Sequence, residues 1–292
     1  MKTKTVQQIL PPPPPHMVGN GFRVHNFFPN GYNLGMQRMS PFFLLDYNSK
    51  IEFPPSDQPR GVGVHPHRGF ETVTIAYHGR VAHHDSKGHS GVIGEGDVQW
   101  MTAASGVLHK EYHEKEFSKT GGMFQMVQLW INLPAKDKMS EPKYQPITQN
   151  QMGKYNLPGD AGVVEVIAGE FKEVKGPAST FSPLQMYNMR IKKGASIKFA
   201  LPEKYNTGIL VIEGSVMINE TRGALVDNLV LFNNVGEEIS ILAEENCILL
   251  VLSGEPIDEP VVAYGPFVMN SEKEIMQAYD DFNNGKFGML ED

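Results

Sequence analysis

Two short segments hold the densest chemistry in this 292-residue sequence, His65-Pro66-His67 and His109-Lys110-Glu111. Imidazole nitrogens and a carboxylate oxygen together suit a divalent first-row ion such as Fe, Mn, Ni, Cu or Zn. In an extended strand, alternate side chains share one face and rise about 6.6 Å over two residues, so both members of a pair can reach one ion. A single His-x-His pair reads more readily as a surface or satisfied core feature. Two such pairs in a β context point instead to one metal site made of His65, His67, His109 and Glu111. Such ligands must be neutral imidazole and ionised carboxylate, so metal affinity is expected to fall in acid. Glu71 shares the parity of His67 but lies about 13 Å along a straight strand, and it joins the ligands only if the chain bends sharply.

All ten histidines lie at or before His113, so if the chain is a repeat, only its first half has the means to hold a metal. Among the others, His83 and His84 are adjacent and point to opposite faces, and His89 sits in the polar turn Asp85 to Gly91. These three are expected to be solvated, with His78 beside Gly79 in a turn. His113 is a candidate to support a ligand from behind, and His16 and His25 have no partner visible in the sequence.

The elements that must position these residues are short. Apolar residues make up 40% and charged residues 20%, which is globular composition, and 29 glycines with 21 prolines imply many turns. From Phe42 to Tyr264 the chain reads as β-type runs, such as Thr72 to Tyr77, Met126 to Ile131, Gly208 to Ile212, Val216 to Ile218, Asn228 to Phe232 and Ile248 to Leu252. Tyr77-His78-Gly79-Arg80-Val81 is echoed by Ile212-Glu213-Gly214-Ser215-Val216, and Val127 to Pro134 more loosely by Leu249 to Pro256, so two β-barrels of related plan are expected. The polar stretch Lys136 to Tyr155 would link them. One helix is expected near the end, where Ser271 and Glu274 form a capping box, Ile275, Ala278, Tyr279 and Phe282 follow at helical spacing, and Gly285 ends the turn. Pro11 to Pro15 should form a polyproline II arm acting as a spacer.

Net charge is −7 without any run of basic residues, which disfavours direct nucleic-acid binding. Cys247 is the only cysteine and sits in an apolar run, the setting of a buried inert thiol. With no secretory segment and nothing near about 18 consecutive apolar residues, a cytoplasmic protein without membrane insertion is expected.

His65-Pro66-His67-Arg68-Gly69-Phe70-Glu71-Thr72-Val73, Gly96-Asp97-Val98-Gln99-Trp100-Met101-Thr102-Ala103 and Gly106-Val107-Leu108-His109-Lys110-Glu111 resemble the N-terminal half of the pirin family, and Gly265-Pro266-Phe267-Val268-Met269-Asn270 resembles its C-terminal signature. The four motifs occur in the family's order and span nearly the whole chain. The resemblance implies an all-β bicupin: two antiparallel jelly-roll barrels packed face to face, a metal-binding N-terminal domain (1–140) and a C-terminal domain without ligands (141–292) that carries the helix. Many cupins use a glutamate placed like Glu71 as a ligand, whereas the pirin pattern uses the carboxylate after the late histidine, here Glu111. Fe(II) is the expected ion, with Mn, Ni, Cu and Zn as alternatives.

The function implied is a dioxygenase resembling the quercetin 2,3-dioxygenases of bacterial members. A flavonol and O2 would be its substrates, Glu111 its base, and carbon monoxide a product. Four protein ligands on an octahedral ion would leave two positions for these substrates. The alternative is a metal- or redox-sensing regulator that binds protein partners without turnover, and a weaker one is another cupin chemistry such as isomerisation or decarboxylation.

Overall fold

The computed structural model describes residues 1–291 as two compact units, each assembled from separated stretches of chain. The first unit comprises residues 1–12, 38–41 and 149–256. Here β1 (Val6–Leu10) pairs antiparallel with Leu229–Phe232 at the edge of a seven-stranded sheet, and a four-stranded sheet accompanies it. Aliphatic side chains such as Ile209, Val211, Val230, Leu249 and Val251 are buried in one cluster. Cys247 is buried there too, and burial pushes its thiol up to about 11, which leaves it protonated and inert.

The second unit comprises residues 13–37, 42–148 and the chain from Ile257 onward. Its strands are β2 (His16–Val18), β3 (Phe22–Phe28), β4 (Phe42–Phe53), β5 (Gly61–His67), β6 (Phe70–His78), β7 (Val81–Asp85), β8 (Ser90–Ile93), β9 (Val98–Thr102), β10 (Val107–His113), β11 (Gly122–Asn132) and β12 (Lys143–Ile147). They form a seven-stranded sheet in the order β12-β9-β6-β11-β4-β3-β2 and a four-stranded sheet in the order β5-β10-β7-β8. Every pairing in these two sheets is antiparallel. Both units thus share one plan of seven and four strands, as the echoed segments suggested. A short helix, α1 (Lys115–Thr120), is capped by the Glu114 carboxylate, and α2 (Glu272–Asn283) begins at Ser271, whose hydroxyl accepts from the Glu274 amide. Among the described residues no helix is long and apolar enough to cross a membrane.

This partition departs from the expected division at residue 140. Residues 1–12 complete the first unit, because the apolar face of β1 needs the Leu229–Phe232 edge. The stretch expected as a linker contains β12, which pairs with β9. The C-terminal helix joins the histidine-bearing unit, where Ile275 and Ala278 are covered by Phe267, Met269, Phe287 and Leu108. Pro11 to Pro15 lies outside regular secondary structure, and Pro13 is docked, its carbonyl accepting from His25 Nδ1 at 2.6 Å.

Candidate metal centre

Strand β10 alternates strictly: Val107, His109, Glu111 and His113 are buried, and the residues between them are partly exposed. Register does the rest. On one side, β5 sets His65 opposite His109 and His67 opposite Val107; a bulge between His109 and Glu111 then brings Val62 opposite Glu111. On the other side, β7 sets Asp85 opposite His109 and His83 opposite Glu111. The ring centroids of His65, His67 and His109 lie 4.2 to 4.8 Å apart, and one nitrogen from each falls within 4.8 Å of the other two.

His109 shows that this cluster fits a cation. Its ring is fully buried, yet among the described residues neither nitrogen has a hydrogen-bond partner. An orphaned buried imidazole is costly unless something absent from the protein chain satisfies it, and a metal ion would do so. His65 Nδ1 donates to the Gly63 carbonyl at 2.8 Å, and His67 Nδ1 faces the Pro266 carbonyl at 3.4 Å, which leaves each Nε2 with its lone pair. Burial, reinforced by the neighbouring imidazoles, holds His67 and His109 well below the usual histidine range, so both stay neutral and able to ligate at pH 7.

Glu111 lies in a second group with His109 and His83, whose ligating atoms again fall within 4.8 Å of one another. Its carboxylate is cradled. Thr74 Oγ1 and Gln99 Nε2 each donate to Oε1 at 3.2 Å, and Gln128 Nε2 donates to Oε2 at 2.7 Å. Glu71 is outside both groups; it takes a 2.7 Å hydrogen bond from Thr102 Oγ1, and burial raises its carboxyl to about 7.

His83 corrects the expectation of a solvated residue. It is fully buried because β7 alternates inward at Val81, His83 and Asp85, while His84 faces out. Its ring stacks on Tyr144 at 5.2 Å, and its Nδ1 lies 3.0 Å from Gln99 Nε2. The Val81-x-His83-x-Asp85 alternation is the signal that would have found it. His113 does not support a ligand: its ring packs against Phe22, Phe53, Phe117 and Phe124, and Nε2 donates to the Gly21 carbonyl.

The C-terminal segment packs against the backbone that follows His67 and precedes His109. Arg68 forms a buried ion pair with Asp281 at 2.8 Å, donates to the Ser105 carbonyl and lies over the Phe287 ring. Lys138, itself buried, donates to the carbonyls of Gly69 and Val268 and to Asn132 Oδ1. Two glycines allow this closeness. A Cβ on Gly69 would stand 2.0 Å from the Val268 oxygen, and one on Gly106 2.4 Å from the Phe287 ring.

A cavity of about 330 Å³ adjoins the centre, lined by His65, His67 and Glu111 and walled by Phe22, Val24, Val62, Met126 and Trp130. Trp130 is held flat against Phe70 at 4.2 Å and edge-on to His67 at 5.1 Å. Sequence reasoning identified none of this apolar wall, nor Gln99 and Gln128.

The family model described as pirin matches residues 21–131, and the model described as pirin C-terminal cupin domain matches residues 186–288. A Pseudomonas aeruginosa protein provisionally named a quercetin 2,3-dioxygenase is 49% identical over 274 residues, 93% of this chain and 94% of the relative. The chain belongs to the pirin family. Pirin-1 of Arabidopsis thaliana is 38% identical over 255 residues, 86% of this chain and 84% of its own. The crystal structure of a quercetin 2,3-dioxygenase from Acinetobacter baumannii superimposes with a TM-score of 0.93 at 46% identity, covering 99% of this chain and 100% of that one. All four expected ligands of this pirin fall inside the first family match, and the C-terminal residues Pro266, Val268 and Asp281 inside the second.

Proposed function

We propose that this pirin is a metal-dependent dioxygenase that cleaves a flavonol with O2, its ion held by His65, His67, His109 and Glu111. The observation that carries the reading is the orphaned His109 imidazole in a three-histidine cluster beside an apolar, aromatic-walled cavity. The likeness to proteins named quercetin 2,3-dioxygenase supports the same substrate class. When bound, a first-row divalent ion supplies Lewis acidity that makes a flavonol 3-hydroxyl easier to deprotonate; Fe(II) is the first candidate.

The chain's own residues do the rest. Met126, Val62 and Trp130 exclude water and offer flat apolar surface to an aromatic ring system. Glu111 lines the cavity and takes the hydroxyl proton on a carboxylate oxygen. Gln99, Thr74 and Gln128 hold that carboxylate in one orientation, so little reorganisation is needed as the proton moves.

The test adds quercetin to protein reconstituted separately with iron, manganese, nickel and copper, and follows oxygen uptake with loss of the flavonol absorbance. Uptake with at least one metal, abolished in His109→Ala, is expected. No uptake with any of them overturns the reading.

A further inference from the structure

The cavity beside the histidines has one polar group that the reaction above leaves idle. Five polar residues form a single cross-strand row on the seven-stranded sheet: Asn26 on β3 pairs with Asp46 on β4, Asp46 with Gln128 on β11, Gln128 with Thr74 on β6, and Thr74 with Gln99 on β9. Residues directly opposite one another in a sheet share a face. Three members of the row, Gln128, Thr74 and Gln99, donate to Glu111. Asp46 comes next in the row, one strand beyond Gln128, and it also lines the cavity.

One of its two carboxylate oxygens is held within the protein, and His16 lies near enough to act on its charge. Asn26 Nδ2 donates to Asp46 Oδ1 at 2.6 Å, and among the described residues nothing hydrogen-bonds to Oδ2. The residue is 8% exposed, and burial raises the carboxyl above its ordinary range. With Oδ1 held by Asn26, Oδ2 is left to accept a hydrogen bond from a donor that enters the cavity, beside the apolar side chains Val18, Val24 and Met126. Charge narrows the class of that donor. No lysine or arginine is among the residues lining the cavity, so a carboxylate or phosphate group placed beside Asp46 would meet like charge, whereas a hydroxyl would not.

We infer that Asp46 is the specificity-determining residue of this cavity, accepting a hydrogen bond from a phenolic hydroxyl on the part of a flat aromatic substrate that lies beyond the metal-binding end. The inference rests on the flavonol reading and deepens it. Polyhydroxylated aromatics are selected over aromatics bearing only the hydroxyl that faces the histidines.

The experiment compares quercetin with 3-hydroxyflavone, which keeps the 3-hydroxyl and lacks the distal ones. Each is titrated into protein loaded with redox-inert Zn(II), without oxygen, with tryptophan fluorescence as the readout. Wild type is expected to bind quercetin about 10-fold or more tighter, the worth of one hydrogen bond to a charged acceptor. Asp46→Leu should bring that ratio to about unity, with zinc stoichiometry and 3-hydroxyflavone affinity unchanged. Asp46→Asn, the same shape with a weaker acceptor, should lie between and serves where the leucine variant fails to fold. A wild-type ratio near one, or a ratio that survives both substitutions, overturns the role of Asp46 and leaves the flavonol reading standing. If wild type binds neither flavonol, both fall together.

Discussion

At the scale of single residues, the centre is decided by which buried polar atoms have partners. His109 has none, whereas Glu71 has Thr102. His109→Ala and Glu111→Ala are therefore expected to lose stoichiometric metal by elemental analysis, and Glu71→Ala to retain it; the reverse pattern for the two glutamates would show that the wrong carboxylate has been chosen. Gln128 donates to Glu111 at 2.7 Å, so Gln128→Leu should weaken metal binding about 10- to 100-fold in competition with a chelating dye. Glu71 offers a separate test on stability. Its carboxyl is raised from 4.5 to about 7, so the folded state keeps a proton that the unfolded chain releases, and stability is lost as pH rises through that window. Glu71→Gln removes the ionisation. Its stability relative to wild type should rise between pH 5 and pH 8 by up to about 3 kcal/mol in urea denaturation at fixed metal occupancy.

At the scale of elements, the strand pairs bring the proposed ligands together and the C-terminal segment packs against the chain beside them. α2 reaches the ligand strands through Asp281, which meets Arg68, the residue after His67. Asp281→Ala would strand the buried Arg68 charge, and a loss of about 3 to 5 kcal/mol is expected from denaturant unfolding. Ser271→Ala removes only the helix cap and should cost about 1 kcal/mol. If the two variants were equally mild, the ion pair would not be the anchor that the geometry indicates.

At the scale of the whole molecule, the chain leaves the histidine-bearing unit at Thr148, builds the other unit, and returns at Ile257. The return stretch carries Pro266, Val268 and Asp281, each of which touches a residue at or next to the His65-Pro66-His67 motif, Val268 through its amide to the Arg68 carbonyl. A chain ending at Pro256 keeps every strand of the first unit but none of these contacts. It should retain slow hydrogen exchange in strands such as Cys247–Gly254, while the histidine-bearing unit loses protection and zinc affinity.

The pairs His65/His67 and His109/Glu111 were legible in the sequence because strand geometry is local: alternate residues share a face whatever the strand pairs with. The capping box at Ser271 and the burial of Cys247 were legible for the same reason. His83, Asp46, Gln99 and Gln128 were not, because their places depend on which strands become neighbours and in what register. Only the fold sets β7 beside β10, or lines up Asn26, Asp46, Gln128, Thr74 and Gln99 across five strands. The membership of the C-terminal helix was decided at the same level, since an amphipathic stripe specifies that a helix must be covered but not by what. Local periodicity thus determined the metal-binding candidates, and long-range pairing determined the pocket, the cradle around Glu111 and the C-terminal packing beside them.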